Sequence, residues 1–290
     1  MVYQNTKTIL KSQGLAPHKK LGQNFLIHRH TAQRIIELSG AGPDDTIIEV
    51  GVGLGALSHP LAGQVKQVIG IEADSGLIRW HEKEQDLPAN VKLIHRDILK
   101  TDFSELAEEA GGHLKVVANL PYSISSPFLF KLIEHHQLME WAVVMLQKEV
   151  ALRLMAEPGT KEYGVPTVLL ASCATVEPLL KVKQGEFHPR PKVDSQVIRI
   201  SFFPVPVRLQ DIPEFDWILF RKVVNSAFGQ RRKTLLNALS SGNFLKNKET
   251  MADVISQAGL SPGIRAERLT LRQFVTLTNS IEKAKLHAAA

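Results

Sequence analysis

The stretch Leu114-Lys-Val-Val-Ala-Asn-Leu-Pro-Tyr122 indicates how the chain is organised. Its apolar first half, up to Ala118, is typical of a buried strand in a parallel sheet. Its second half places an amide (Asn119), a proline-restrained turn and an aromatic ring at the carboxyl end of that strand. Ligands of open α/β sheets bind at this end of the strands. An ordinary turn would also explain these last four residues, so the neighbouring motifs decide between the two interpretations.

Strands and helices alternate on both sides of this stretch, which predicts βαβ units and a parallel sheet. Further strands are expected at Thr46–Val50, Val65–Ile71, Val91–His95 and Trp141–Leu146. Helices are expected from about His30, at Ala56–Ala62, at Ser75–Glu84 and at Lys148–Ala156. The β-branched sequence of Val165–Val182 and the alternating pattern of Ser195–Phe203 predict antiparallel edge strands.

A proline-rich segment, Phe203-Pro-Val-Pro-Val207, is typical of a linker. Beyond it the sequence predicts helices alone, at Phe215–Leu239, Lys248–Ala258 and Ala266–Lys285. We therefore expect an α/β domain with a basic N-terminal arm over residues 1–203 and a small helical domain over residues 204–290.

Positive charge is concentrated at the two ends of the chain. Residues 204–290 contain 13 Lys and Arg against 7 Asp and Glu, out of 35 and 29 in the whole chain, so residues 1–203 hold 22 of each. Within that balanced part the first acid is Glu37, and it is preceded by Lys7, Lys11, Lys19, Lys20, Arg29 and Arg34. This segregation favours a polyanionic partner such as RNA, whereas charge needed for solubility alone does not have to be segregated.

The composition excludes several classes of protein. The 290 residues are 44% hydrophobic, which suffices for a buried core. No apolar run approaches the length of a transmembrane helix, and the N-terminus lacks the apolar region of a signal peptide. The single cysteine, Cys173, excludes an internal disulfide framework and a cysteine-based zinc site, and the 11 histidines show no metal-binding spacing. We therefore expect a cytoplasmic protein without a metal.

A glycine-rich turn, Glu49-Val-Gly-Val-Gly-Leu-Gly55, follows the first predicted strand. Its GxGxG spacing differs from the GxGxxG of dinucleotide sites and includes no Lys or Arg for phosphates, which disfavours an NAD-dependent dehydrogenase. Glu72, at the end of the next strand, could accept hydrogen bonds from two ribose hydroxyls, and Asp97, after the third, from an adenine amine. A surface acid would explain Glu72 alone, but the ordered set fits S-adenosylmethionine.

Six motifs follow one another between residues 18 and about 280: Gly22-Gln-Asn-Phe-Leu26, Glu49–Leu57, Ile71-Glu72, Arg96-Asp-Ile98, Asn119–Tyr122 and Phe187–Ser195. Their order and spacing resemble those of the ribosomal RNA adenine N6,N6-dimethyltransferase family, and within it the bacterial small-subunit (16S) enzymes linked to kasugamycin sensitivity. The sequence departs from the family pattern at Leu21, Val52, Ser123 and Arg190. The resemblance implies a Rossmann-like α/β fold with a mostly parallel seven-stranded sheet, followed by a small all-helical domain. It also implies that S-adenosylmethionine is bound by Asn24, Leu26, Gly51, Gly53, Glu72, Asp97 and Asn119.

The opening motif suits chemistry on an adenine amine, which is a poor nucleophile because its lone pair is delocalised into the ring. Hydrogen bonds accepted by Asn119 Oδ1 and the Pro121 carbonyl would favour a pyramidal nitrogen that can attack the sulfonium methyl group. Tyr122 and Phe187 could stack on a base removed from its helix. For Phe187, packing beneath a loop is the alternative. These four residues are the candidate catalytic residues.

Basic residues on or near Phe215–Leu239 are candidates for binding RNA phosphates and orienting the protein on folded RNA. They are Arg221, Lys222, Arg231, Arg232 and Lys233. A solvated helix face is the alternative interpretation.

These observations predict an enzyme that transfers methyl groups from S-adenosylmethionine to N6 of two adjacent adenines in a hairpin loop near the 3′ end of small-subunit (16S) rRNA. The expected partner is the rRNA of an immature small ribosomal subunit, and the expected state is a monomer. Two alternatives stay open: a large-subunit rRNA methyltransferase of the macrolide-resistance type, and an assembly or nucleic-acid-binding factor whose catalysis is dispensable. Intact Asn119, Tyr122 and Glu72 argue against pure binding.

Overall fold

A computed structural model describes residues 23–230 and 232–289. The N-terminal arm up to Gly22 and the candidate RNA ligand Arg231 lie outside the described residues. The chain divides into two compact units, one formed by the chain up to Ala151 with Thr175–Pro204, the other by Leu152–Ala174 with Val205–Ala290. The later boundary lies one residue from the division expected at residue 203. However, Leu152–Ala174 belongs to the second unit, whereas the sequence assigned it to the α/β domain.

The first unit is built on a seven-stranded sheet, as the sequence predicts. Its strands are β2 (Thr46–Val50), β3 (Gln67–Glu72), β4 (Val91–His95), β5 (Leu114–Asn119), β6 (Met139–Gln147), β7 (Thr175–Val182) and β9 (Ser195–Ser201). They lie in the order β4-β3-β2-β5-β6-β9-β7. The first five are parallel, and β9 pairs antiparallel with both β6 and β7. A separate two-stranded ribbon joins β1 (Phe25–Leu26) to β8 (Phe187–His188).

Helix α1 (Arg29–Ser39) precedes β2, and further helices connect the parallel strands of this sheet. The connecting helices are α2 (Ser58–Ala62), α3 (Ser75–Glu84), α4 (Phe103–Ala110) and α5 (Ser125–Glu134), and α6 (Lys148–Leu154) follows β6. On α1, Ile35 and Ile36 face the core, and Gly40 ends the helix in the left-handed conformation that glycine favours. Asp74 and Asp102 cap α3 and α4 by accepting the N–H groups of Gly76 and Ser104.

The expectation of strand throughout Val165–Val182 is wrong in its first part, because Val165–Ala171 forms the helix α7. Gly164 caps this helix in an extended conformation and Pro166 lies in its first turn, where a missing N–H costs nothing. The Thr167 hydroxyl accepts from Gly164 N at 3.2 Å and donates to the Arg153 carbonyl at 2.7 Å. These local hydrogen bonds outweigh the β-branched composition.

The second unit is helical, as expected after the linker. It contains α7, α8 (Val207–Gln210), α9 (Trp217–Phe228), α10 (Leu235–Ser240), α11 (Lys248–Gln257) and α12 (Leu271–Ala289). Its core includes Phe220, Leu235, Ile255 and Phe274, each fully buried.

The expectation of one long helix over Phe215–Leu239 is wrong, because two helices occupy this range. Gly229, a poor helix former, follows α9. The Thr234 side chain then accepts the Asn237 N–H and begins α10. The break places Arg232 and Lys233 in a loop between two helices.

Gly70, in the middle of β3, lies directly beneath the glycine-rich turn. A Cβ atom at Gly70 would lie 2.6 Å from Cγ2 of Val52, a buried and β-branched residue with little freedom to move. At Gly185, by contrast, an added Cβ meets nothing within 4 Å. The missing side chain of Gly70 therefore makes room for Val52, and the turn packs directly against β3 at this point.

We predict that Gly70→Ala lowers the free energy of unfolding by about 1–3 kcal/mol through overpacking. Gly185→Ala, the matched control, should change it by less than about 0.5 kcal/mol. The double variant Val52→Ala/Gly70→Ala should be less destabilised than the sum of the two single variants, because removing Cγ2 relieves the clash. Urea unfolding measures all four proteins, and equal stability of the two glycine variants would contradict this packing.

Candidate active site

The carboxyl ends of the neighbouring parallel strands β3, β2 and β5 form one side of an open cleft. Gly51 follows β2, Glu72 ends β3 and Asn119 ends β5. Seven residues that the sequence singled out line this cleft: Asn24, Leu26, Gly51, Gly53, Glu72, Asn119 and Pro121. The sheet topology therefore brings together side chains from distant parts of the sequence.

The glycine-rich turn presents its backbone to the cleft. Gly51, Gly53 and Gly55 have φ angles of 79°, 61° and 75°, a region that other residues rarely adopt. A Cβ at Gly51 would lie 3.5 Å from the Asn119 carbonyl oxygen, and one at Gly53 would lie 3.3 Å from the Phe25 ring. The absence of side chains keeps this part of the cleft open.

Glu72 ties this turn to the end of β3. Its Oε2 accepts the Gly53 N–H at 2.9 Å and its Oε1 accepts the Asp74 N–H at 2.8 Å. Burial raises the pKa of Glu72, and the backbone N–H groups of Gly53 and Asp74 oppose that rise. The carboxylate therefore holds the two turns together and also lines the cleft.

Glu49 also lines the cleft, and it was not among the site residues inferred from the sequence. It is 1% exposed, and within residues 23–230 and 232–289 its Oε2 accepts no hydrogen bond. Burial raises the pKa of Glu49 to about 8, the Ser58 hydroxyl opposes the rise and the Glu72 carboxylate adds to it. The available sequence signal was its position near the end of β2, two residues before Gly51, the first glycine of the turn.

Asn119 is oriented by Asn24, the residue immediately before the short strand β1. Its Nδ2 atom donates to the Asn24 carbonyl at 3.4 Å, so Oδ1 is the carboxamide atom on the opposite side. The Pro121 carbonyl, two residues further on, accepts from Ile124 N at 3.1 Å and from the Ser125 hydroxyl at 3.3 Å.

Tyr122, Phe187 and Asp97 do not line the cleft. The Tyr122 hydroxyl lies 2.9 Å from Ser195 Oγ, and burial raises the pKa of this half-buried phenol. Phe187 is 4% exposed and packs in the core with Leu26, which corresponds to the packing alternative. Asp97 follows β4 at the same edge of the sheet, and its Oδ1 accepts the Leu99 N–H at 2.9 Å.

The basic candidates lie in the helical unit. Lys222 is exposed and Arg221 half-buried on α9, and Arg232 and Lys233 are exposed in the loop before α10. Their contact with RNA phosphates stays a prediction.

The cleft fits the parts of S-adenosylmethionine. Glu49, a buried acid whose Oε2 has no hydrogen-bond partner in the described part of the chain, suits a positive charge. The Glu72 carboxylate suits hydroxyl donors, and Phe25, Leu54 and Leu77 pack together as an apolar wall suited to a flat ring. The sheet, the turn and the acid at the end of β3 define an α/β domain of the methyltransferase type.

The model of the family "Ribosomal RNA adenine dimethylase" matches residues 14–283. A protein of Desulfotalea psychrophila named ribosomal RNA small subunit methyltransferase A is 52% identical over 97% of both chains, and one of Bacillus thuringiensis with that name is 41% identical over the same share. A dimethyladenosine transferase from Plasmodium falciparum has a similar structure, with a TM-score of 0.74 and 25% identity over 90% of this chain and 98% of the other. The 23S rRNA methyltransferase ErmE has a TM-score of 0.64 and 25% identity over 89% and 100%. The chain therefore belongs to the ribosomal RNA adenine dimethylase family.

This membership confirms three predictions made from the sequence: the family, the methyltransferase fold with its mostly parallel seven-stranded sheet, and an S-adenosylmethionine-dependent enzyme that dimethylates rRNA adenines. The individual site residues stay predictions. Among the described residues, none of the helices is long and apolar enough to cross a membrane. The same residues contain no cluster of three or more His, Cys, Asp or Glu arranged to hold a metal ion, and the absence of a metal stays a prediction.

We predict that S-adenosylmethionine binding at pH 7 releases close to one proton, because a cation in the cleft favours the charged form of Glu49 and lowers its pKa from about 8. Calorimetry in buffers of different ionisation enthalpy measures this release. Glu49→Gln, which keeps the shape of the side chain, should abolish most of it. A binding enthalpy in the wild type that does not depend on the buffer would contradict the assignment.

Proposed function

We propose that the protein transfers methyl groups from S-adenosylmethionine to N6 of two adjacent adenines in a hairpin loop near the 3′ end of small-subunit (16S) rRNA, during small-subunit biogenesis. The observation that carries the proposal is the convergence of Gly53, Glu72, Asn119 and Pro121 on one cleft. The relatives at 52% and 41% identity, named as small-subunit methyltransferases, support the small subunit as the source of the substrate.

We assign binding of S-adenosylmethionine to residues on three sides of the cleft. The turn at Gly51 and Gly53 approaches the ligand through its backbone. The Glu72 carboxylate accepts hydrogen bonds from the ribose hydroxyls with the lone pairs that are not used by the N–H groups of Gly53 and Asp74. Asn24, immediately before β1, and Leu26, within β1, flank the cleft, and Asp97, after β4, accepts from the adenine amine. When bound, S-adenosylmethionine supplies a methyl group on a positively charged sulfur.

Asn119 and Pro121 hold the target amine. Asn119 Oδ1 accepts one N–H, since the Nδ2 side of the carboxamide is engaged with Asn24. The Pro121 carbonyl accepts the other N–H. A carbonyl oxygen has two lone pairs and Ile124 N occupies one of them, so the Ser125 hydroxyl must turn away when the amine arrives. The nitrogen lone pair then points at the methyl group.

Tyr122 supplies the stacking face for the target base, and the hydrogen bond with Ser195 fixes the angle of its ring. The low exposure of Phe187 supports a role beneath the site, with Leu26, in place of a second stacking face. Because burial raises the pKa of Tyr122, its phenol stays neutral at physiological pH and acts through its ring.

Affinity for RNA comes from the basic residues of the helical unit. Lys222, Arg232 and Lys233 are exposed, as phosphate ligands must be, and Arg221 lies next to Lys222 on α9. Arg231 belongs to the same run. We propose that the protein acts as a monomer without a metal on an immature small subunit, and that it is cytoplasmic because that particle assembles there.

We predict that Asn119→Ala loses methyl transfer by roughly a hundredfold or more, since one preorganised polar contact is removed. Particle binding should survive, because phosphate contacts and stacking on Tyr122 are untouched. The measurement is single-turnover methylation of undermethylated small subunits. It must use saturating S-adenosylmethionine, because Asn119 also lines the cofactor cleft.

The reciprocal control is Lys222→Ala/Arg232→Ala/Lys233→Ala. This triple variant should weaken particle binding and flatten its salt dependence, by about one unit of slope for each lost phosphate contact, while its affinity for S-adenosylmethionine stays the same. Equal single-turnover rates in wild type and Asn119→Ala would contradict the catalytic assignment. A triple variant that binds particles normally would reduce the basic residues to a solvated surface.

A further inference from the structure

His81, on α3, is buried behind the glycine-rich turn, with 1% of its side chain exposed. Its Nδ1 atom lies 2.7 Å from Asp86 Oδ1, and its Nε2 atom lies 3.0 Å from the carbonyl oxygen of Gly53. A carbonyl oxygen can only accept hydrogen bonds, so Nε2 of His81 must donate to Gly53. The ring therefore lies between the Asp86 carboxylate and the turn.

Asp86 is suited to hold this ring. Burial by itself would raise the pKa of Asp86, but the hydrogen bonds from His59 and His81 lower it below the usual range. The second contact comes from α2, where His59 Nε2 lies 3.5 Å from Asp86 Oδ2. Asp86 therefore stays charged, and its contact with Nδ1 orients the His81 ring so that Nε2 faces the Gly53 carbonyl.

Gly53 is restrained from two sides, by the hydrogen bond from His81 and by the hydrogen bond to Glu72. The Gly53 N–H donates to Glu72 Oε2 at 2.9 Å, while the Gly53 carbonyl accepts from His81 Nε2. Gly53 lines the cleft and His81 does not, although Leu77, one turn earlier on α3, does. His81 thus acts on the cleft through Gly53.

We propose that His81, held by Asp86, is a positioning residue for S-adenosylmethionine, an inference that rests on the function proposed above. By fixing the Gly53 carbonyl it keeps the turn in its binding conformation and keeps Glu72 aimed into the cleft. A protein without this hydrogen bond must order the turn when the ligand binds, and that ordering weakens affinity.

The test compares variants that keep or lose the donor to Gly53. His81→Leu removes both hydrogen bonds at similar volume and should weaken S-adenosylmethionine binding about tenfold. His81→Gln keeps an amide N–H that can reach the carbonyl, so its affinity should stay within about threefold of wild type. His95→Gln is the matched control and should bind normally, because His95 is an exposed histidine at the same sheet edge whose Nε2 lies 3.3 Å from the Ala73 carbonyl oxygen. Asp86→Asn, at a partly exposed position, repeats the test should His81→Leu fail to fold, and it should also weaken binding.

Two further readouts separate positioning from general support of the fold. At saturating S-adenosylmethionine the kcat of His81→Leu should remain within about twofold of wild type, since the loss lies in binding. Nitrogen NMR of histidine-labelled wild type should show a buried imidazole ring that carries a proton on Nε2. A His81 ring without a proton on Nε2, or equal cofactor affinity in wild type, His81→Leu and Asp86→Asn, would overturn this inference alone. A wild-type protein that binds no S-adenosylmethionine would overturn the proposed function and this inference together.

Discussion

The carboxylate of Glu72 is the group on which the geometry of the site depends. It accepts the backbone N–H groups of Gly53 and Asp74, and so joins the turn after β2 to the turn after β3. A buried carboxylate destabilises a protein unless hydrogen bonds compensate it, and here two backbone donors do so. Strands β2 and β3, which lead into the two turns, are almost completely buried, and this packing helps the turns to keep their arrangement. His81 restrains the same turn from its other side.

A second buried acid gives the cleft its electrostatic character. Glu49 and Glu72 lie at the same sheet edge, and burial raises the pKa of both. At neutral pH burial favours the protonated form of Glu49, because the surrounding protein does not stabilise the charged form. A cationic ligand supplies that stabilisation, whereas a dinucleotide with its negative phosphates would increase the repulsion. The preference for S-adenosylmethionine over a nicotinamide cofactor therefore follows from buried acids as much as from the GxGxG spacing.

Much of the fold could be predicted from the sequence because local patterns and tertiary packing agree in the parallel sheet. Thr46–Val50, Ser75–Glu84 and Val91–His95 have the predicted bounds. The pattern failed where capping decides the structure, as in the helix beginning at Val165 and the break after Phe228. The order of the motifs predicted seven of the residues that line the cleft, because the sheet topology brings the strand ends together. Glu49 and His81 could not be assigned in this way, since their roles depend on burial and on the carbonyl of Gly53, which only the folded chain places beside them.

The proposed methylation is tested most directly by mass mapping of methylated adenines after incubation with S-adenosylmethionine. Undermethylated small subunits and large subunits should be incubated separately, each with wild-type protein. We expect two adjacent adenines of one small-subunit hairpin loop each to acquire two methyl groups, and large subunits to acquire none. Methylation confined to the large subunit, or none on either particle by a protein that binds both cofactor and RNA, would contradict this expectation.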